Sequence, residues 1–482
     1  MTKRLVPLWL SIALIGLPVI GTAQGMLDIQ VESAILSGTG AQSPFWLISN
    51  QYGLLATTRN QAYLRAEGEY TYTINRHAEI AVGLDGVAAI HSDRSAYLRQ
   101  AYVETCYRSL TLTVGAKCHY AGLLNPQLSA GDLVHSTNAA PIPEINLAMR
   151  GFQPIPLTKG WVKLKGDIAV GRSFDSDYLR HHVQAQTAYV EKLLWHHKSL
   201  YLRIGKRSTF PLLLTLGVQH WAQWGGTSTN PAIGKQPSSL KDLWKVFCGS
   251  EGGEGATWSD AVNVLGNHFG SYDLQLSYDS HPVQLTAYHQ HYFEDKGGME
   301  WSNGMDGLWG GTITLPRWRY IHTLLVEYLT TRNQSGPMHF IDFDHDKHPG
   351  RGGGCDNYYN NGEYATGVSY YQHTLGNPLL INPGYSQTLG FRHNRIRAYH
   401  FAIDGQLHPT VRYTLHFSHS TSWGQMEYPI LHPAHLTAVG LTCSYDLRKH
   451  PAWQVEASTG CDWGTLLGNN WGAQLRVRWK LR

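Results

Sequence analysis

Charged side chains are scarce in this sequence. They make up 15% of 482 residues, against about 25% in an ordinary soluble domain, and the formal net charge is only +4. A chain so close to neutral has no bulk charge with which to hold nucleic acid or another polyanion. Beyond residue 20 no apolar run is long enough to cross a bilayer as a helix, so a membrane-embedded form must be a barrel of strands. The six cysteines, at 106, 118, 248, 355, 443 and 461, are scattered and form no CxxC pair, which argues against a zinc ribbon and against a dense disulfide framework. Cys106 and Cys118 are spaced for neighbouring strands of one hairpin, and export would permit a disulfide; the sequence leaves that open. No serine elbow, phosphate loop, dinucleotide fingerprint or nucleic-acid motif occurs. No cofactor is expected.

What is present begins with an address. Lys3 and Arg4 precede an apolar run from Leu5 to Ile20, broken by Pro7 and Pro18, and the small residues Gly21, Thr22 and Ala23 follow. This is the pattern of a secretory signal peptide over 1–23, leaving residues 24–482 as the mature chain. No linker, charge block or low-complexity tract divides that chain, so one large domain is expected.

Gly (50), Tyr (27) and Trp (16) are abundant, and segments of about ten residues with period-two alternation recur between turn-like clusters. In the last of them, Leu475, Val477, Trp479 and Leu481 alternate with Arg476, Arg478 and Lys480. "AYLRAEGEYTYTI" sets Tyr63, Arg65, Glu67 and Glu69 against Leu64, Ala66, Tyr70, Tyr72 and Ile74, with a phase slip expected at Gly68. "WVKLKGDIAVG" carries Lys163, Lys165 and Asp167 on one side, with a slip at its glycine, and "TVRYTLHFSHS" turns Arg412 and His416 away from Val411, Tyr413, Leu415 and Phe417. Further candidates are 27–36, 78–90, 97–106, 110–118, 185–195, 199–206, 211–220, 270–279, 283–292, 308–316, 321–330, 396–407, 436–447 and 453–461, close to twenty strands in all. Apolar rows toward lipid, charged rows toward a wet lumen, and Trp161, Trp195, Trp318, Trp453 and Trp479 near strand ends together predict an all-β, antiparallel outer-membrane barrel. Arg412, His416, Arg476, Arg478 and Lys480 should line its lumen, the terminal cations pairing with acids such as Glu67 or Glu69.

Longer connections are expected at 119–160, 221–268, 293–307, 333–362, 371–395 and 420–434. Within the second, Ser238 or Ser239 caps Leu240, Leu243, Trp244 and Phe247 at helical spacing and Gly249 stops them, which predicts a short amphipathic helix. Such a helix is expected to fold over or into the lumen, and another turn is expected over Asp260 to Leu265.

Several clusters invite a chemical reading. His416 and Ser418 have the spacing found in outer-membrane phospholipases, but the alternation places both on the lumen side, away from lipid. "FDHDKHPG" (343–350) holds metal-ligand types without the ordered oxygen register of a hard-cation loop; there and in "RHH", "WHH" and "YHQHYF" no metal site is expected. "HYFEDKGGMEWSNGMDGLWGG" (291–311) mixes Tyr292, Glu294, Asp295, Asn303 and Asp306 with Trp301 and Trp309. Carboxylates and amides accept sugar hydroxyl protons, and aromatic faces stack on sugar C–H faces. Tyr358 and Tyr359 in "DNYYNNGEY" extend that mix. The bland alternative is a glycine-rich turn capped by its acids, with tryptophans at the membrane interface.

The stretches "SPFWLISNQYG" (43–53), "LSAGDLVHSTNAAPIPEI" (128–145), "QHWAQWGG" (219–226), "LGNHFGSYDLQLSY" (265–278), "YHQHYFEDKGG" (288–298), "NGMDGLWGG" (303–311) and "YYQHTLGNPL" (370–379) occur in this order. In them the chain resembles the Wzi-type capsule-assembly proteins, in the form widespread among Bacteroidetes. The resemblance implies an outer-membrane barrel of about eighteen strands with short helices in its loops. It also implies a lectin-like, non-catalytic role in holding surface polysaccharide, with outer-membrane lipids and the capsule export machinery as further partners. Enterobacterial members carry a helical bundle before the barrel, whereas here strand-like sequence starts at Leu27. Two other readings remain: a porin or substrate-specific channel, and a glycan-modifying enzyme using carboxylates such as Glu294 and Asp306.

Overall fold

The computed structural model describes residues 25–481, apart from 91–92, 254, 258–259, 261–263, 339 and 342–351. The signal peptide, the 343–350 histidine cluster and half of the turn expected at 260–265 lie outside the described residues.

Period-two alternation folds as it should when one side of a strand meets lipid and the other a filled interior. The chain forms a nineteen-stranded antiparallel sheet in which one member is only the two residues Gln153–Pro154. The other eighteen close on themselves, because the first strand, Gly25–Thr39, pairs with Gln61–Asn75 on one edge and with the last strand, Asn470–Leu481, on the other. Outward residues such as Ile35, Leu64, Leu84, Leu200, Val326 and Leu475 are exposed, while the inward Tyr63, Arg65, Tyr201 and Arg476 are buried. Register runs unbroken through Gly68 and Gly166, so the slips expected at these glycines do not occur. The irregularities lie instead at Thr73/Asn75, Asp85/Gly86, Gln406/His408 and Ser422/Gly424.

The connections divide by end. Where the first strand starts and the last one stops, turns are as short as 76–77, 108–109, 280–283 and 409–410. At the opposite end run 40–60, 117–143, 173–193, 225–266 and 331–395, the asymmetry of a barrel whose short turns face the periplasm and whose long loops face outward. Trp161, Trp318 and Trp453 form an exposed belt at the short-turn end, joined by Trp479 as register partner of Trp453. Trp463 and Trp471 are exposed near the other rim. Trp195 is not part of a belt: it points inward, buried, and donates to Ser173 Oγ at 2.8 Å.

Three boundaries differ from expectation. The connection expected at 119–160 contains the strand Glu144–Met149, hidden beside Pro141 and Pro143. The segment 185–195 is not a wall strand of its own: it holds only the two-residue strand Val190–Glu191, paired with Thr227–Ser228, and one wall strand, Leu194–Ile204, takes its end and most of 199–206. At 420–434 two long strands, Val411–Gly424 and Pro429–Asp446, are joined by only 425–428.

The lumen is filled by chain. Helix α1 (Phe45–Ile48), the connection 117–143 and the segment 354–391 fold inward around a buried apolar cluster that includes Phe45, Leu133, Trp221, Phe269, Tyr359 and Leu380. Wall glycines make room for α1: a Cβ on Gly440 would fall 2.5 Å from Trp46 Cβ, and one on Gly460 2.9 Å from Pro44 Cβ. Trp46 in turn stacks on His416 and donates to Ser418 Oγ at 3.1 Å. His416 and Ser418 are therefore inside, as the alternation requires, and they hold the plug.

Helix α2 (Ser176–His182) lies in the connection 173–193. Helix α3 (Leu240–Cys248) has the expected capping box between Ser239 and Asp242, and Gly249 ends it with φ 65°. Its position is not the expected one. Val246 packs with Ala222, Trp224 and Leu265, and Phe247 lies over His196; Ala222, Trp224 and His196 alternate with the inward Trp195, His197, Trp221 and Gln223. Helix α3 therefore rests on the outer wall, because its apolar face finds an uncovered apolar patch there.

Candidate functional site

Several buried charges under the plug are paired. Asp85 receives Arg65 at 2.9 Å and Arg99 at 2.7 Å. Arg478 and Arg476 pair with Glu32 and Glu456, at 2.7 and 2.8 Å, and not with the expected Glu67 or Glu69; Glu67 takes Arg65. Arg412 sits at the exposed end of its strand against Asp446, and Lys480 is likewise exposed at the short-turn end, so neither lines the interior in depth. A lumen row of free cations is therefore not what Arg412, Arg476 and Arg478 form.

Of the residues expected to meet glycan, Tyr292, Asn303, Asp306, Tyr358 and Tyr359 are buried. Tyr359 donates to Leu133 O, and Asn303 Nδ2 donates to Tyr292 O and Tyr358 Oη, both at 2.7 Å. Glu294 accepts from Tyr292 Oη and Tyr359 N at 2.6 Å, and burial pushes its carboxyl well above the usual range. Asp295 caps Gly298 N, and Asp306 accepts from Asn333 and Gln334 N while burial raises it to about 6. Trp301 and Trp309 lie on the outer wall, stacked on His291 and His289 at 3.7 and 3.6 Å. The acids thus cap the turn and the tryptophans cover the rim, so the structure does not bring these nine side chains to one open surface.

The mouth holds a different convergence, which sequence reading missed. Residues from four connections meet there. The Arg94 guanidinium lies between the rings of Tyr97 and Tyr371, 3.8 and 4.1 Å from their centroids, and donates to Gly53 O at 3.0 Å. Tyr371 N donates to Asp175 Oδ2 and its hydroxyl to Phe174 O. Tyr178 donates to Asp93 and stacks on His182. Phe174 is 60% exposed. Burial pushes the Asp175 carboxyl up to about 6. A cation between aromatic faces, flanked by acids and an exposed ring, offers sugars both stacking surface and hydrogen-bonding groups. Tyr371 and Gly53 carried a signal in sequence, as parts of "YYQHTLGNPL" and "SPFWLISNQYG", and Tyr97 as the start of a predicted strand; the others are brought in from 93–94 and 174–182 by loop geometry.

A second convergence is internal. His119, Glu144 and His197 place ligand atoms within 4.8 Å of one another, although they come from the connection 117–143 and two strands, a separation no motif reveals.

A closed eighteen-stranded antiparallel barrel with apolar outer rows, aromatic belts and a filled lumen defines an outer-membrane protein of the plugged kind. The family model for the capsule assembly protein Wzi matches residues 43–380. The chain belongs to the Wzi capsule assembly family, and its place is the outer membrane. Among solved structures it is similar to Wzi of Escherichia coli, described as an outer membrane protein involved in group 1 capsule assembly and a carbohydrate-binding β-barrel. The identity is 12% and the TM-score 0.57, over 93% of this chain and 83% of that one. OccK5 (OpdH) of Pseudomonas aeruginosa aligns at 9% identity and TM-score 0.48, over 95% and 98%. OprD of the same organism aligns at 12% and 0.45, over 95% and 93%. No curated protein sequence matches.

Proposed function

We propose that this protein binds surface polysaccharide at its outer mouth and so helps assemble the capsule, as a lectin-like anchor without catalysis. The observation that carries this reading is a filled lumen beneath the Arg94–Tyr371 cluster. Loops packed into the interior fix the mouth as a rigid surface, and rigid aromatic faces bind at low entropic cost. The Escherichia coli relative, described as carbohydrate-binding, supports the same reading. A channel would need an open path through residues that here are buried and mutually bonded. A glycosidase would need reachable carboxylates, and Glu294 and Asp306 are engaged inside the fold. The reading includes cleavage of residues 1–23 on export, which N-terminal sequencing of the outer-membrane form tests, and contact with lipids and the capsule export machinery.

The test is a deletion strain in an encapsulated host, stained for capsule and assayed for shed polysaccharide. Polysaccharide should move from cells to medium, and return to cells with the wild-type gene. An unchanged cell-bound fraction would remove the proposal, and steady conductance of the purified protein in planar bilayers would favour the channel.

A further inference from the structure

His119, Glu144 and His197 lie inside the wall below the mouth. His197 Nε2 is 2.9 Å from Glu144 Oε2 and His197 Nδ1 is 3.1 Å from Asp167 Oδ2. His119 Nδ1 is 3.1 Å from Lys117 O. A carbonyl oxygen only accepts, so Nδ1 of His119 carries the proton and Nε2 is left with a lone pair. That Nε2 is shielded from solvent, has no hydrogen-bond partner among the described residues, and lies 3.7 Å from Glu144 Oε1. A lone pair and a carboxylate oxygen facing each other in a shielded site repel unless a cation stands between them.

The surrounding atoms complete the pattern. Metal-bound histidines donate their other ring nitrogen to a carboxylate or a carbonyl, and here Asp167 and Lys117 O supply one of each. Asn146 Nδ2 donates to Glu144 Oε1 at 3.1 Å, orienting the carboxylate. Trp221 stacks on His197 at 4.2 Å and 10°, fixing the ring plane. Ligands around a tetrahedral zinc ion, with bonds of roughly 2.0–2.1 Å, stand about 3.3 Å apart; His197 Nε2 is 2.9 Å from one Glu144 oxygen and His119 Nε2 3.7 Å from the other, and one ligand atom of each residue lies within 4.8 Å of the other two, so small side-chain movements close the set on an ion. Charge agrees as well: two neutral imidazoles and a dication offset the carboxylates of Glu144 and Asp167, whereas Lys117 is paired with Glu104 at 2.8 Å.

We propose that His119, Glu144 and His197 bind one transition-metal ion of the zinc class, with a fourth position toward the small cavity bordered by Tyr52, His135 and Pro141. Two ligands belong to wall strands and one to the inward connection 117–143, so the ion pins the plug to the wall. Three protein ligands with room for water leave the fourth position exchangeable.

The experiment uses full-length protein extracted in detergent, carried on a tag without histidine. Bound metal is counted by elemental analysis as purified, then after chelation and titration with Zn2+ and with Co2+. One equivalent of zinc, the visible absorption of tetrahedral cobalt, and an upward shift of the thermal transition on metal addition are expected. All three should be lost in His119→Ala and Glu144→Gln, with barrel folding checked by gel mobility before and after boiling. If folded wild-type protein holds no more zinc than His119→Ala and shows no cobalt spectrum, the cluster is an imidazolium held by two carboxylates and the proposal fails.

Discussion

Glu32 and Arg478 are register partners across the seam between the first and last strands, and Glu32 Oε2 lies 2.7 Å from both Nε and Nη2 of the guanidinium. Glu32 is 1% exposed and also accepts from Tyr63 Oη at 2.7 Å. Removing one member of a buried pair leaves the other charge uncompensated, at a cost of about 3–5 kcal/mol. Glu32→Ala should therefore weaken the closure of the barrel. In gels run without boiling, the folded band should disappear at a lower denaturant concentration than for wild type; an unchanged midpoint would show that Arg476 and Arg478 find other partners.

Gly440 marks where α1 meets the wall, with Trp46 Cβ only 2.5 Å from the position a side chain would occupy. Inserting methyl groups into a packed interior costs about 1–3 kcal/mol. Gly440→Val should displace Phe45–Ile48 before it opens the strand ladder, since the sheet bonds are far more numerous. Conductance in planar bilayers, expected close to zero for wild type, should rise in the variant while the gel-mobility test still reports a barrel.

The barrel was legible because lipid and lumen impose opposite demands on alternate residues, and "QLRVRWKLR" states that alternation openly. What the cations on that strand pair with was not legible. Glu32 is more than 440 positions away, and only closure of the sheet makes it a neighbour of Arg478. The capped helix at 240–248 was equally clear from local spacing, but its docking on the outer wall depends on Ala222 and Trp224, whose outward parity is a property of the neighbouring strand. The glycan candidates around 291–311 were chosen by residue type. Whether an aspartate faces a sugar or caps Asn333 and Gln334 depends on where another loop folds, and for Asp306 that loop is 331–395.

Asp175 gives the mouth a pH dependence of defined sign. Burial raises its carboxyl to about 6 in the folded protein, against about 3.9 in an unfolded chain. The folded state thus binds the proton more tightly, and this group costs stability above pH 6, a cost relieved as pH falls from about 6 to 4. Asp175→Asn keeps an acceptor for Tyr371 N and removes the charge. It should stabilise the protein at neutral pH by up to about 3 kcal/mol and flatten the gain that wild type shows on acidification between those values. Thermal transitions at a series of pH values measure both. Parallel profiles for the two proteins would remove Asp175 as the source.

The proposed binding of polysaccharide at the mouth is tested most directly at Tyr371. That residue shares Arg94 with Tyr97, and an aromatic stacking contact is worth roughly 0.5–1.5 kcal/mol beyond its area. Tyr371→Ala should weaken binding of purified capsular polysaccharide about tenfold, and Arg94→Ala should weaken an acidic polysaccharide more than a neutral one. Surface plasmon resonance on folded variants measures both. Wild-type affinity in both variants would move the binding surface away from this part of the mouth.

Trp244 should lie at the membrane boundary. Helix α3 covers the outer wall with Val246 and turns Leu240 and Trp244 away from it, 85% and 65% exposed. On a barrel in a bilayer such a helix occupies the interface, where an indole is favoured. The fluorescence difference between wild type and Trp244→Phe isolates this one ring from the chain's other tryptophans. In vesicles of lipids brominated near the headgroup that difference signal should be strongly quenched. With bromine at the chain ends quenching should be weak, because the helix lies near the long-loop rim and not at mid-membrane. Full emission in both would mean that α3 stands clear of the bilayer, and that its apolar face serves a protein or glycan partner instead.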